Sequence, residues 1–184
     1  MIRKLWLFAL ALAIVAGCAP GETRSNLVEI PGAYVGRVQG TDTFIAVLPD
    51  ARTGQLKVYA CDGQPGRDVT VDQWFTAPWD GTSPVTLTGG GHTVTVRPDR
   101  TGFAGEFVAA NGTAAPFTVE KATGGSGLVS FDERDPATGE LLKGRELIML
   151  GDAFRGTMVS TRKPCRFVLV QGANGQQQWV SVCN

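Results

Sequence analysis

The feature that most narrows the fold is a turn that recurs. Pro49-Asp50-Ala51-Arg52-Thr53-Gly54, Pro98-Asp99-Arg100-Thr101-Gly102 and Asp135-Pro136-Ala137-Thr138-Gly139 share one chemistry. Proline presets φ, aspartate accepts hydrogen bonds from the backbone just ahead, and glycine supplies positive φ. Each turn sits between short runs rich in Val, Thr, Ile and Phe, the pattern of a β-hairpin. The flanking runs do not match one another, so these are repeated turn chemistry rather than an internal duplication.

The runs predict strands at 34–38, 43–48, 55–61, 69–75, 85–88, 92–97, 105–110, 117–121, 129–132 and 140–150. The last is the one stretch where a short helix competes. Asn111-Gly112 is a further hairpin signal. Alternation puts Val94 and Val96 on one face of their strand and Thr93, Thr95 and Arg97 on the other. The expected fold is all-β and predominantly antiparallel, a small barrel or sandwich of about eight to ten strands with a C-terminal hairpin extension.

That last hairpin is the most legible piece. Residues 166–170 and 178–182 flank Gly172-Ala173-Asn174-Gly175-Gln176. A three-residue loop with Gly175 in the left-handed bulge position pairs Gly172 with Gln176. Cys165 then lands opposite Cys183, at a non-hydrogen-bonded site where Cα atoms are about 4.5 Å apart. A disulfide there contributes about 3 kcal/mol by the loop-entropy model. Cys61 is left as a free thiol.

The N-terminus constrains location. Arg3 and Lys4 precede an apolar run over 5–16. A dozen or so residues are too short to cross a hydrocarbon core of about 30 Å as a helix, so the run reads as a secretory signal. Val15-Ala16-Gly17-Cys18 at its end resembles the lipobox of bacterial lipoproteins. The resemblance implies removal of residues 1–17 and acylation of Cys18. It implies a lipidated tether over 18–27, then a single β domain over 28–184, of which 142–184 is the extension. The protein would be exported to the cell envelope and held to a membrane through lipid on Cys18. Ala19, rather than aspartate, implies the outer membrane if the envelope is Gram-negative. The compartment permits disulfides.

Charge narrows the partners. The chain has 17 basic and 17 acidic residues, and losing Arg3 and Lys4 leaves the mature part slightly acidic. It carries no basic footprint for nucleic acid.

No catalytic constellation is visible, and the expectation is that the protein is not an enzyme. His92 is the single histidine. It follows Gly89-Gly90-Gly91 and reads as an exposed turn or strand residue. Metal ligands at zinc spacing are missing, so no metal and no cofactor is expected. The Gly89–91 and 124–127 clusters lack the strand–loop–helix setting of a phosphate loop. Asp132-Glu133-Arg134-Asp135 lacks the alternating spacing of a calcium loop and reads as a solvated hairpin tip. Cys61 reads as a buried or half-buried structural thiol, with Arg67 its nearest candidate cation.

Trp74 and Trp79 leave two readings open. On the expected strand, Val69, Val71 and Phe75 share a core face, while Trp74 shares its face with Thr70 and Asp72. Trp79 lies in the turn Ala77-Pro78-Trp79-Asp80-Gly81. Both tryptophans cover a barrel end, or they form an exposed patch for an envelope protein, a glycan or an apolar ligand.

Several short motifs together resemble a family of small secreted or lipid-anchored bacterial β-domains. They are Tyr34-Val35-Gly36-Arg37-Val38, Thr43-Phe44-Ile45-Ala46-Val47, Tyr59-Ala60-Cys61-Asp62-Gly63 with Trp74-Phe75, Gly105-Glu106-Phe107, Pro116-Phe117-Thr118 and Ala122-Thr123-Gly124 with Gly127-Leu128. The resemblance spans 32–131 and implies fold and location. Tyr59-x-Cys61 is also similar to a feature of lysozyme-inhibitor lipoproteins, whose Ser-Gly-x-x-Tyr inhibitory segment is missing here. The function expected is that of a non-catalytic, envelope-anchored lipoprotein serving as a binding or scaffold module. The alternative is an inhibitor of a secreted hydrolase, or a β-barrel lipoprotein capturing a small ligand.

Overall fold

A computed structural model describes residues 27–64, 67–134, 141–157, 165–171 and 177–183, with side chains over 27–64, 67–131 and 146–157. The described chain is all-β and antiparallel. In order its strands are β1 (Leu27–Glu29), β2 (Tyr34–Val38), β3 (Phe44–Asp50), β4 (Gln55–Cys61), β5 (Asp72–Pro78), β6 (Val85–Gly89) and β7 (His92–Asp99). They continue with β8 (Gly102–Val108), β9 (Ala114–Lys121), β10 (Gly127–Arg134), β11 (Leu141–Leu150), β12 (Ala153–Gly156), β13 (Cys165–Gln171) and β14 (Gln177–Cys183).

Eight strands form one sheet in the order β5-β4-β3-β2-β9-β8-β7-β6. Its two end strands, β5 and β6, come side by side, so the sheet curls into a nearly closed barrel. Of the two expected architectures, barrel and sandwich, this sheet takes the barrel-like form, and its hairpins carry the expected turn chemistry. Asp50 Oδ1 accepts from the backbone N–H of Arg52 (3.1 Å) and Thr53 (3.2 Å), and Gly54 follows at φ 63°. Gly90 and Gly91 take φ 58° and 81°, the left-handed pair that a two-residue hairpin between Gly89 and His92 requires.

The barrel interior is filled. Val38, Ile45, Val58, Phe75, Phe107 and Phe117 are among its buried residues. Gly105 carries no side chain because a Cβ there would strike the Thr95 carbonyl and the Phe117 ring. Its absence lets Phe117 lie against the strand.

A second sheet, β1-β10-β11-β12, packs on the outside of the barrel. It buries Val35, Phe44, Ala46, Tyr59 and Cys61 of the barrel wall against Leu128 and Ile148. Strands β3 and β4 are therefore buried on both faces. That explains why Phe44-Ile45-Ala46-Val47 and Val58-Tyr59-Ala60-Cys61 are unbroken apolar runs, whereas β9, buried on one face, alternates strictly. The far face of this sheet buries Val129, Phe131, Leu147 and Met149, with Leu27 and Phe154 packed against them.

Strands β2 and β4 coincide with the expected runs. Strand β5 does not: it covers Asp72–Pro78, and Val69, assigned above to the core face, is 41% exposed in the preceding loop. The Asp62 carboxylate holds that loop instead, accepting from the backbone N–H groups of Thr70 and Val71 and from the Thr70 hydroxyl. Residues 141–150 form a strand, not a helix, because β10 pairs along the whole stretch from Leu141 to Met149. Leu27, placed above at the end of a tether, begins β1 and pairs with Phe131. In the C-terminal hairpin the register is the expected one, with Cys165 opposite Cys183. The turn at 135–139 and the loop at 172–176 lie outside the described residues.

Candidate functional site

The two tryptophans part company. Trp74 lies on β5 and packs into the seam between barrel and second sheet. Its ring stacks on Tyr59, with centroids 5.0 Å apart and planes at 26°. Tyr59 is 2% exposed and donates its hydroxyl to Asp72 Oδ1 at 2.8 Å. Trp74, Tyr59 and Asp72 thus share the outer face that alternation assigned to Trp74 and Asp72.

Trp79 follows the end of β5 and packs against the inner core at the barrel's opposite end from the β2–β3 loop. Its ring meets Phe103 edge-on at 5.6 Å, and Phe103 meets Tyr34 edge-on at 4.9 Å. These three rings close that end. Two hydrogen bonds fix Trp79: its backbone N–H donates to the Gly54 carbonyl (2.8 Å), and Nε1–H donates to the Ser83 carbonyl (2.8 Å).

The loop that carries Trp79 is organised by Asp80. Its Oδ1 accepts from the backbone N–H groups of Thr82 (2.8 Å) and Ser83 (2.7 Å), and its Oδ2 accepts from Ser83 Oγ (2.6 Å). The Ser83 hydrogen bonds, aided by Thr82, hold the Asp80 carboxyl well below the usual carboxylate range. Trp79, Pro78, Pro84, Val85, Asp80 and Ser83, with Gly54, line an open groove of about 450 Å³. It combines an aromatic wall, two rigid prolines and one fixed negative charge.

A polar cluster fastens the second sheet across the seam. Thr157 Oγ1 donates to Asp72 Oδ2 at 2.6 Å, and the Gly156 N–H donates to the Gly63 carbonyl at 3.1 Å. Arg155 is 9% exposed; its Nε–H donates to the Asp42 carbonyl at 2.8 Å, and its guanidinium lies 4.4 Å above the Phe44 ring. The Asp42 carboxylate also meets Arg67 at 2.9 Å and Arg37 at 3.3 Å. These contacts join β2, the β2–β3 loop, the β4–β5 loop and β12. Nothing in the sequence announces them, because the partners lie up to 113 residues apart.

Cys61 is buried with no exposure, and its sulfur accepts the Gly63 N–H at 3.3 Å. Burial pushes its thiol pKa up, so it is held as a protonated, unreactive thiol. Arg67, the nearest candidate cation by sequence, points to Asp42. Tyr59 is likewise raised by burial, far above the ordinary phenol value.

His92 is not an exposed turn residue. It is 8% exposed, stacked on Phe107 at 5.4 Å, and Nδ1 accepts the Ala110 N–H at 3.1 Å. The ring is a plug that ties β7 to the loop after β8. Among the described residues, no group of three or more His, Cys, Asp or Glu side chains is disposed to hold a metal ion. Among them too, no helix is long and apolar enough to cross a membrane. Cys18 lies outside the described residues, as do the side chains of Cys165 and Cys183 and of the acidic run at 132–135. No protein-family model matches this chain, and neither a curated protein nor a solved structure matches it.

Proposed function

We propose that this chain is a non-catalytic binding module of the bacterial cell envelope, exported and held to a membrane by acyl chains on Cys18. The observation that carries the reading is the contrast between a filled barrel and an open, rigid aromatic groove at one end of it. A barrel packed with Phe75, Phe103, Phe107 and Phe117 leaves its interior to its own side chains. Contact with a partner then falls to the exterior, where Trp79 is held from two sides by hydrogen bonds. Preorganised aromatic walls with a few polar groups are what binding sites usually offer. His92, the single histidine, and the Cys61 thiol are both committed to packing. The groove serves capture of a partner better than capture of a ligand inside the barrel.

The test is affinity capture from envelope extracts with the tagged full chain. Saturable recovery of a discrete component, reduced by Trp79→Ala, is expected. Recovery of nothing above a tagged control contradicts a binding role. The anchor is tested by Cys18→Ser: the variant should leave the membrane fraction and stop labelling with a fatty-acid probe, and continued labelling would refute it.

We also propose that Cys165 and Cys183 are bridged, on the strength of their paired backbone register. Non-reducing peptide mapping should recover the two cysteines in one linked peptide. Recovery of Cys61 in a linked peptide would overturn the pairing.

A further inference from the structure

We infer that the Trp79 groove takes an uncharged sugar, with a pyranose ring laid on the indole and a hydroxyl or amide N–H donated to Asp80. The inference rests on the binding-module reading above and names the ligand class for that site.

Three observations point this way. First, the groove is open and shallow-sided, suited to one or two rings of a chain that continues into solvent rather than to an enclosed ligand. Second, its wall is rigid before binding. Trp79 is pinned through both backbone and indole nitrogens, and Pro78 and Pro84 bracket the loop with fixed φ. Binding then costs little ordering entropy, which matters for a ligand whose individual contacts are weak. Third, the polar part of the groove is an acceptor. Asp80 stays ionised, yet Thr82 and Ser83 already occupy most of its lone pairs. What remains is a directed acceptor for a single O–H or N–H.

The same features select against other ligands. A purely apolar ligand would desolvate the Asp80 carboxylate without giving it a donor. An acidic sugar would meet that carboxylate with like charge. A quaternary ammonium would be drawn to the indole face and the carboxylate but offers no donor to the remaining lone pair, so choline is the competing occupant that the titration tests. A pyranose presents an apolar C–H face and a rim of donors together, which matches an indole wall with one carboxylate at its edge.

The experiment is calorimetric titration of the full chain in detergent with three probes: the trimer of N-acetylglucosamine, an oligogalacturonate and choline. Saturable binding of the first alone is expected. Trp79→Ala should abolish it, and Asp80→Asn should weaken it roughly tenfold or more. The choice of probes keeps the test independent of whether Asp80→Asn disturbs the loop. Saturation by choline or by the acidic oligomer instead, or sugar binding that persists in Trp79→Ala, overturns the inference. If the sugar fails while envelope capture remains sensitive to Trp79→Ala, the ligand class is wrong and the binding-module reading stands. If capture fails as well, both fall.

Discussion

Trp74 and Trp79 are five residues apart, yet they belong to different parts of the molecule. Trp74 faces outward from β5 and is packed against Tyr59 beneath the second sheet. Trp79 has left the strand and packs at the barrel end, where its loop forms one wall of a groove. The seam around Trp74 is apolar contact interrupted by Tyr59–Asp72–Thr157 and Arg155–Asp42, which fix how the second sheet sits. The groove around Trp79 is built from local hydrogen bonds within and next to its own loop. Residue type does not decide role here. Both indoles are half-buried, and they differ in what they pack against: Tyr59 for Trp74 and Phe103 for Trp79.

The difference can be broken most severely at the seam. Tyr59→Ala removes a ring that is 2% exposed, leaves Trp74 without its stacking partner, and strips a donor from Asp72. A loss of about 3–5 kcal/mol in urea unfolding is expected. Trp74 is half-buried, so Trp74→Ala should cost less, about 1–3 kcal/mol, read as a lower melting temperature.

Alkaline pH sharpens the same contrast. Burial raises the pKa values of Tyr59 and Cys61 above their ordinary values of 10.0 and 9.0. The folded chain therefore keeps protons that the unfolded chain releases. Stability from these groups is fully present below about pH 9 and is lost as pH rises beyond it, by at most about 1.4 kcal/mol per pH unit for each group. Tyr59→Phe and Cys61→Ala should each flatten that decline in denaturant titrations between pH 8 and 11. An unchanged slope would show that neither group is buried as described. The smallest effect belongs to the groove: Trp79→Phe keeps a ring against Phe103 and gives up one hydrogen bond, at about 0.5–1.5 kcal/mol.

Much of this architecture is legible in the sequence, for local reasons. Turn residues act within four or five positions, so the hairpins and the Cys165–Cys183 register follow from Gly, Pro, Asp and Asn placement. The two-sided burial of β3 and β4 was equally present in their unbroken apolar runs, a signal that points to a second sheet on the barrel's outer face. Strand β12 is too short to carry a periodic signature, and β1 has one three-residue pairing. Asp42 with Arg155, and Asp72 with Thr157, are long-range contacts between residue types that would read as surface anywhere. His92 shows the same limit: its burial depends on Phe107 and Ala110 on a neighbouring hairpin. The groove itself was half legible, since Trp79 in a Pro–Trp–Asp–Gly turn marked the place but not the closing ring pair with Phe103.

Two measurements on two variants separate the proposed roles of Trp74 in the fold and Trp79 in partner capture. Trp74→Ala and Trp79→Ala of the full chain are compared for thermal melting and for capture of envelope components. Trp74→Ala should melt several degrees lower, at roughly 2–4 °C per kcal/mol, and capture as the parent does below its melting point. Trp79→Ala opens the ring cluster with Phe103 and should melt lower as well, but it should also lose capture below its melting point. The reverse pattern, lost capture in Trp74→Ala with unchanged melting and full capture in Trp79→Ala, would contradict these roles.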